Sequence, residues 1–317
     1  MRFDLSTFKQ IAVLPMGGCI GAEIKGVDLR TLSDEVFLEI RAALNIFHVL
    51  FFRDQDLDCF SLAAFAECFA PLTIPSYTKA LPDHPFVTRL HRPAEIPSSK
   101  RNIGDRWHSD QAARERPNMG FALYCVEAPP YGGDTLFASL VAAYDHLSAG
   151  MKALCEQLIG VHSLKGVFGP DGMGGSGTKK PLVHMGSEAH YRVDKSLAEV
   201  INQEIEHPLV RTHPETGRRI LYVTGDYLIR FRGMTDFESE PLIHQLNSYA
   251  VRPEFTCRFR WRKGSLALLD NRCTQHYAVN DYAGFERVML RTEMEGERPF
   301  GPALPAITKS ERAGDAA

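Results

Sequence analysis

A histidine and an aspartate two residues apart, in the segment WHSD at positions 107–110, could hold a divalent metal ion. Side chains at positions i and i+2 of an extended segment point to the same face, so His108 and Asp110 would lie side by side. An imidazole nitrogen and a carboxylate oxygen can then chelate one ion. Since a lone pair of this kind is more often a polar surface pair, a metal site requires a third ligand from elsewhere in the chain.

The third ligand could be His276, at the end of the polar segment DNRCTQH at positions 270–276. This segment follows an apolar run, where a polar side chain can reach a cavity. Taken alone, His276 is more simply interpreted as a loop histidine. His108, Asp110 and His276 therefore form a candidate metal site that their positions alone do not establish.

Two arginines near the end of the chain could bind an anion. Arg287, Met289 and Arg291 alternate in the segment 286–295 and would share one face of a strand. A buried, unpaired charge is costly, so arginines that face the interior would imply an anionic partner such as a carboxylate or a sulfonate. The opposite face, at positions 288, 290 and 294, is apolar and looks like the core side, so the pattern itself favours a solvated arginine face.

Strands predominate in the part of the chain that carries these residues. Apolar or alternating runs predict strands over 120–126, 135–138, 207–212, 219–223, 255–262, 265–270 and 286–295, with turns at 131–134 and 214–217. The first third is mixed, with strands over 22–28 and 49–52, a helix capped by Ser33 and a second helix over 62–69. A helix over 235–250 opens with the capping box Thr235-x-x-Glu238. The pattern predicts a mainly β protein with flanking helices.

The composition excludes several classes of protein. The chain has 317 residues, of which 44% are hydrophobic and 24% charged, as is typical of a globular protein, and its net charge of −3 gives no basic surface for nucleic acid. It contains no apolar run long enough for a membrane span or a signal peptide. The seven cysteines form no C-x-x-C pair, and we interpret them, Cys68 and Cys257 included, as buried thiols in a reducing, cytoplasmic setting.

Together, the polar blocks resemble the taurine/2,4-D dioxygenase family of Fe(II)- and 2-oxoglutarate-dependent oxygenases. The resemblance rests on His108-x-Asp110, GGDT at 132–135, DNRCTQH at 270–276, DY at 281–282, and then Arg287 and Arg291, all at matching spacings. It covers nearly the whole chain, from GAEI at 21–24 to the G-x-x-P of 296–299. It implies a double-stranded β-helix, or jelly roll, in a single domain over 1–300. Residues 166–190 would be a candidate lid and 301–317 a flexible tail.

The resemblance implies a role for each matching residue. His108, Asp110 and His276 would bind ferrous iron and leave positions open for 2-oxoglutarate and O2. Arg287 and Thr135 would hold the distal carboxylate of 2-oxoglutarate. The enzyme would release succinate and CO2 from 2-oxoglutarate and hydroxylate a C–H bond of its prime substrate.

The prime substrate would be a small organic anion bound by Arg291. Members that act on taurine carry a histidine where this chain has Pro75, and a polar side chain where it has Gly104. Both changes make the pocket less polar, so it looks more like that of the aryloxyalkanoate (phenoxypropionate-type) members. A sulfonate or an alkyl sulfate ester is the alternative. By matching, the pocket would be lined by Ile74, Tyr77, Gly104, Gln111, Phe168 and Tyr227.

Two functions outside this family remain open. Two histidines and one aspartate can also hold zinc in a hydrolase, although a zinc hydrolase would not require Thr135 and Arg287 at these spacings. A non-catalytic jelly-roll sensor would tolerate the loss of a metal ligand, and all three are present. The expected partners are a small anionic substrate and, as a candidate, a second copy of the chain, but neither a membrane nor a nucleic acid.

Overall fold

The computed structural model describes residues 3–75, 78–97, 104–168 and 201–304. Most of the predicted lid and of the tail lies outside these ranges, as do Tyr77 and the side chain of Phe168. The strands are β1 (Ala12–Pro15), β2 (Ala22–Lys25), β3 (Val49–Phe52), β4 (Ala80–Leu81), β5 (His84–Arg92), β6 (Gly120–Glu127), β7 (Thr135–Ser139), β8 (Ile159–His162), β9 (Ile205–Pro208), β10 (Val210–Thr212), β11 (Arg219–Leu221), β12 (Leu228–Phe231), β13 (Thr256–Phe259), β14 (Leu266–Asp270), β15 (Thr274–Ala278) and β16 (Arg287–Met294). The helices are α1 (Asp34–Phe47), α2 (Cys59–Glu67), α3 (Leu140–Asp145), α4 (Ala149–Cys155), α5 (Lys165–Phe168) and α6 (Asp236–Ala250), and short 3-10 helices lie at Gly225–Tyr227 and Pro253–Phe255.

Two sheets face each other across a shared apolar interior. The larger sheet has eight strands in the order β1-β2-β3-β14-β6-β16-β5-β4, and the sheet β13-β7-β15 lies opposite. Phe121 and Met289 of the larger sheet and Phe137 and Phe259 of the smaller one belong to one buried cluster. Two largely antiparallel sheets packed over such a core form the double-sheet jelly roll. The predicted fold class is therefore confirmed.

The outer face of the eight-stranded sheet is covered by α1 and α2. Ile40 of α1 and Phe65 of α2 pack in one cluster with Leu266 and Leu268 of β14, whereas Leu269 of the same strand points into the jelly roll. Because both faces of β14 are covered, all five of its residues are buried, which explains its continuous apolar run.

Strand β16 is also covered on both faces, so the expectation that its arginine-bearing face is solvated is wrong. Leu290 and Met294 pack beneath the outer helices, as the apolar pattern indicated. The opposite face is not solvated, however, because Met289 is fully buried between the two sheets. Arg287 and Arg291 share that inner face, and their side chains enter the interior of the jelly roll.

Local signals predicted several element boundaries. The Ser33 hydroxyl accepts a hydrogen bond from the Val36 amide at the start of α1, and Thr235 and Glu238 form the predicted capping box of α6. The helix predicted over 62–69 begins earlier, because Asp58 and Ser61 form a capping box that opens α2 at Cys59. The hairpin across 214–217 is present as β10 and β11.

All seven cysteines are free, and four of them are buried. The expectation that Cys68 is buried is wrong, because Cys68 follows the last residue of α2 and its side chain is exposed at that helix end. Within the described ranges, no helix is both long and apolar enough to cross a membrane.

Candidate active site

A backbone bridge joins the two candidate histidine ligands. The His276 amide donates to the carbonyl oxygen of His108 at 2.9 Å, and the His108 amide donates to that of His276 at 3.1 Å. These two hydrogen bonds join β15, an edge strand of its sheet, to the loop that follows residue 104. As a result, the imidazole rings lie with their centroids 4.2 Å apart, although the residues are far apart in sequence.

Three donor atoms converge at this bridge. His108 Nε2 lies 3.5 Å from Asp110 Oδ1, and His276 Nε2 lies 3.8 Å from Asp110 Oδ2. One ligand atom from each residue lies within 4.8 Å of the other two. The Nδ1 of His108 donates to the carbonyl oxygen of Arg106 at 2.7 Å, which leaves Nε2 free to bind a metal.

In a second cluster, the possible ligand atoms of His213, Asp270 and Cys273 also lie within 4.8 Å of one another, but the carboxylate is already occupied. Asp270 accepts hydrogen bonds from Arg272 Nε at 2.9 Å and Nη2 at 2.6 Å, and from His213 Nε2 at 3.0 Å. A cation would have to displace the guanidinium group. This cluster is therefore a buried ion-pair network that supports the start of β15.

The backbone of Asp110 is held by an asparagine from the DNR motif. Asn271 Oδ1 accepts from the Asp110 amide at 2.8 Å, and Asn271 Nδ2 donates to the Asp110 carbonyl at 3.0 Å. Both residues are buried. A two-point contact of this kind fixes the position of the carboxylate relative to the two histidines.

The surroundings keep Asp110 ionised and His276 neutral, the forms in which these two side chains bind a metal. Burial raises the pKa of Asp110, but Arg291, whose Nη2 lies 2.6 Å from Oδ2, outweighs it and holds the pKa below its usual range. Burial lowers the pKa of His276 to about 3, so its ring is neutral at neutral pH. Burial also opposes the charged form of His108, but its contact with Asp110 prevails and the net pKa is raised.

Arg287 and Thr135 lie around one tryptophan on the inner wall. The guanidinium carbon of Arg287 is 5.7 Å from the ring centroid of Trp261, whose Nε1 donates to Thr135 Oγ1 at 2.9 Å. The Nε of Arg287 is buried without a hydrogen-bond partner. Among the residues the structure describes, no carboxylate pairs with this arginine, so its charge is available to an anion.

The predicted pocket residues lie in different surroundings. A Cβ atom on Gly104, where φ is 77°, would lie 3.1 Å from His108 Cε1, so only glycine allows this approach. Gln111 follows Asp110 and donates to Glu293. Ile74 is 68% exposed, and Tyr227 packs in an apolar cluster under β12. Their roles, like those of Tyr77 and Phe168, stay predictions.

Two residues at this site were missed in the sequence. Trp261 links Thr135 to Arg287, and Glu293 lies 2.9 Å from Arg291. The sequence contained a signal for Glu293, because the period-two alternation of a strand puts it on the same face as Arg287 and Arg291. It was overlooked because that face was expected to be solvated.

Two histidines and a carboxylate converge at the edge of this jelly roll, and its interior holds an arginine that pairs with no carboxylate of the described residues. This is the architecture of an Fe(II)- and 2-oxoglutarate-dependent oxygenase. The chain belongs to the taurine catabolism dioxygenase TauD, TfdA family, whose sequence model matches residues 12–292. The resemblance seen in the sequence is thereby confirmed.

Individual relatives agree with this assignment. The chain is 34% identical over 294 residues to an alpha-ketoglutarate-dependent sulfate ester dioxygenase of Pseudomonas putida, covering 92% of each chain. It is 29% identical to an (S)-phenoxypropionate/alpha-ketoglutarate-dioxygenase of Sphingobium herbicidovorans, covering 92% of this chain and 97% of the relative. The crystal structure of a taurine dioxygenase from Burkholderia xenovorans superimposes with a TM-score of 0.76 at 36% identity, covering 96% of this chain and 98% of the other.

The protein is therefore a dioxygenase that depends on Fe(II), 2-oxoglutarate and O2. This conclusion confirms the expected reaction class. It leaves no support for the zinc hydrolase or the non-catalytic sensor.

Proposed function

We propose that this dioxygenase hydroxylates a small organic anion at a site where His108, Asp110 and His276 hold the iron. The observation that carries the proposal is the convergence of their three donor atoms within 4.8 Å, at the edge of an interior that also contains the side chain of Arg287. Two imidazoles and one carboxylate on one side of the ion suit ferrous iron and leave its other positions open.

The fit to 2-oxoglutarate rests on Arg287 and Thr135. The buried Arg287 Nε lacks a partner, and a distal carboxylate would satisfy it with a charge-assisted hydrogen bond. The Thr135 hydroxyl accepts from Trp261, so its own proton is free to be donated to the same carboxylate. When bound, iron, O2 and 2-oxoglutarate together supply the oxidising power that breaks a C–H bond.

The chain's own contribution is to position the groups and to exclude water. The Arg106 carbonyl orients the ring of His108, Asn271 holds the backbone of Asp110, and Arg291 keeps the Asp110 carboxylate ionised. The inner wall of aromatic side chains, which includes Phe121 and Phe137, lies against His276 and limits solvent access.

For the prime substrate, we propose a carboxylate of the aryloxyalkanoate kind, with an alkyl sulfate ester or a sulfonate as the alternative. Arg291 supports an anion, since its guanidinium group lies on the inner face next to the metal ligands. The relatives that act on phenoxypropionate and on sulfate esters support the two substrate classes respectively. Gly104 and Pro75, in place of polar residues, favour the less polar aryloxyalkanoate.

The central test is anaerobic reconstitution with Fe(II) and 2-oxoglutarate. We expect a weak visible charge-transfer band that appears only when both are present. Succinate release should then be measured across a panel of aryloxyalkanoates, alkyl sulfates and sulfonates, where the aryloxyalkanoates should give the highest kcat/KM. A protein that stays folded but shows no band would contradict the proposed site.

Replacing Arg291 by alanine should weaken turnover of the prime substrate more than it affects uncoupled decay of 2-oxoglutarate. The arginine pairs with the substrate anion, and loss of a buried charged partner costs about 2–5 kcal/mol. The readout is the ratio of product to succinate, with Arg89→Ala on the exposed side of β5 as the matched control. Equal loss of both activities would assign Arg291 to 2-oxoglutarate instead.

We further propose that residues 1–300 form one catalytic domain in a reducing, cytoplasmic setting. The eight-stranded sheet supports one domain, because it joins β1 and β2 near the start of the chain to β16 near its end. The seven free cysteines support a reducing setting.

A further inference from the structure

A glutamate lies beside the arginine that we place against the prime substrate. Glu293 follows Arg291 by two residues on β16, so both side chains point into the jelly roll. Glu293 Oε1 is 2.9 Å from Arg291 Nη2, and only 12% of the glutamate side chain is exposed. Neither iron nor 2-oxoglutarate calls for a carboxylate at this position, so its presence requires another explanation.

Glu293 is held in place by a residue with unusual backbone geometry. Gln111 has a φ of 53°, in the left-handed region that residues with a side chain seldom adopt. Its Nε2 donates to Glu293 Oε2. Such strain persists only where the surroundings enforce it and is common at ligand sites. Because Gln111 follows Asp110 directly, a closed ring of contacts runs from Asp110 through Arg291 and Glu293 back to Gln111.

The ring places one guanidinium group between two carboxylates. Arg291 Nη2 lies 2.6 Å from Asp110 Oδ2 as well as 2.9 Å from Glu293 Oε1. Burial and, more weakly, Asp110 raise the pKa of Glu293 above its usual value, and Arg291 and Arg114 offset only part of this rise. Since the site is shielded from water, a further negative charge at Arg291 would be repelled by Glu293 with little screening.

We propose that Glu293 is a specificity-determining residue that offsets the charge of Arg291 and limits the prime-substrate pocket to monoanions. The inference rests on the proposed function, because it assumes that Arg291 faces the substrate anion. A carboxylate, sulfonate or sulfate ester carries one negative charge and can be held by the guanidinium group of Arg291. A phosphate ester carries nearly two charges above pH 7 and is excluded by the additional repulsion.

The test is a comparison of matched anions on protein loaded with Mn(II) and N-oxalylglycine, which prevents turnover. Hexyl sulfate and hexyl phosphate are titrated at pH 8 by calorimetry. The wild type should bind the sulfate more tightly than the phosphate. In Glu293→Gln, which keeps an acceptor for Gln111, the sulfate should bind on the order of tenfold more tightly and the phosphate should gain still more.

Two variants control for charge and for folding. Glu295→Gln removes the same charge from an exposed position just beyond β16 and should leave both affinities unchanged. Glu293→Asp retains the charge and should retain the preference for sulfate. Affinity for N-oxalylglycine should be the same in all four proteins, which shows that the co-substrate site is intact.

The possible failures are distinguishable. An unchanged ratio of phosphate to sulfate affinity in Glu293→Gln would overturn the inference and leave the proposed function standing. The inference would also be overturned if the wild-type protein alone bound the phosphate more tightly than the sulfate. If neither wild type nor Glu293→Gln bound sulfate, phosphate or 2-phenoxypropionate, the anionic substrate class and this inference would fall together.

Discussion

Replacing His108 by alanine is expected to abolish Fe(II) binding and, with it, succinate formation. The ring supplies one of three donor atoms, and the two that remain, on Asp110 and His276, cannot hold the ion against water. Loss of a residue that merely supports a metal ligand costs about 10–100-fold in metal affinity, so loss of a ligand should exceed that range. Metal content after anaerobic loading and gel filtration is the measurement.

The fold should survive this substitution. His108 is joined to β15 through backbone hydrogen bonds that alanine also makes, so the thermal midpoint without metal should stay close to that of the wild type. His244→Ala, on the exposed face of α6, is the matched control and should bind iron normally. Wild-type iron content in His108→Ala would refute the proposed ligand set.

Replacing Arg287 by alanine is expected to raise the KM for 2-oxoglutarate by roughly 100-fold. Truncating one partner of a buried, hydrogen-bonded charge pair costs about 2–5 kcal/mol, and each 1.4 kcal/mol corresponds to about tenfold in affinity. The iron ligands are untouched, so Fe(II) binding itself should persist. Titration of the charge-transfer band with 2-oxoglutarate measures the effect directly.

Conservative and neighbouring variants sharpen this experiment. Arg287→Lys keeps the charge but loses the fork of two donors, so it should recover only part of the affinity. Arg262→Ala removes a charge from the exposed residue next to Trp261 and should leave the KM unchanged. An unaltered KM in Arg287→Ala would mean that the distal carboxylate binds elsewhere.

The order of strands along the chain and the capping of helices could be predicted from local sequence. Ser33 and Thr235 mark the starts of α1 and α6 because their side chains bond to amides within the same turn. The continuous apolar run of β14 likewise predicts a strand buried on both faces, as β14 is. Such signals depend on neighbours in the chain, so they are visible without the fold.

The environment of a strand face could not be predicted in the same way. Alternation put Arg287, Arg291 and Glu293 together, but it did not indicate whether another layer covers them. That layer is the sheet of β13, β7 and β15, whose residues lie at other places in the chain. The same limit applies to Cys68, whose exposure depends on where α2 ends and on what packs there.

By itself, the sequence determined the reaction class, because the types and spacing of His108, Asp110, His276 and Arg287 match a single family. Only the tertiary structure decided which charged groups lie in contact with these side chains. It placed Glu293 and Asp110 on either side of Arg291 and left Arg287 without a carboxylate among the described residues. The reason is physical: the free energy of a charge depends on burial and on partners within a few ångströms, and packing between distant segments sets both.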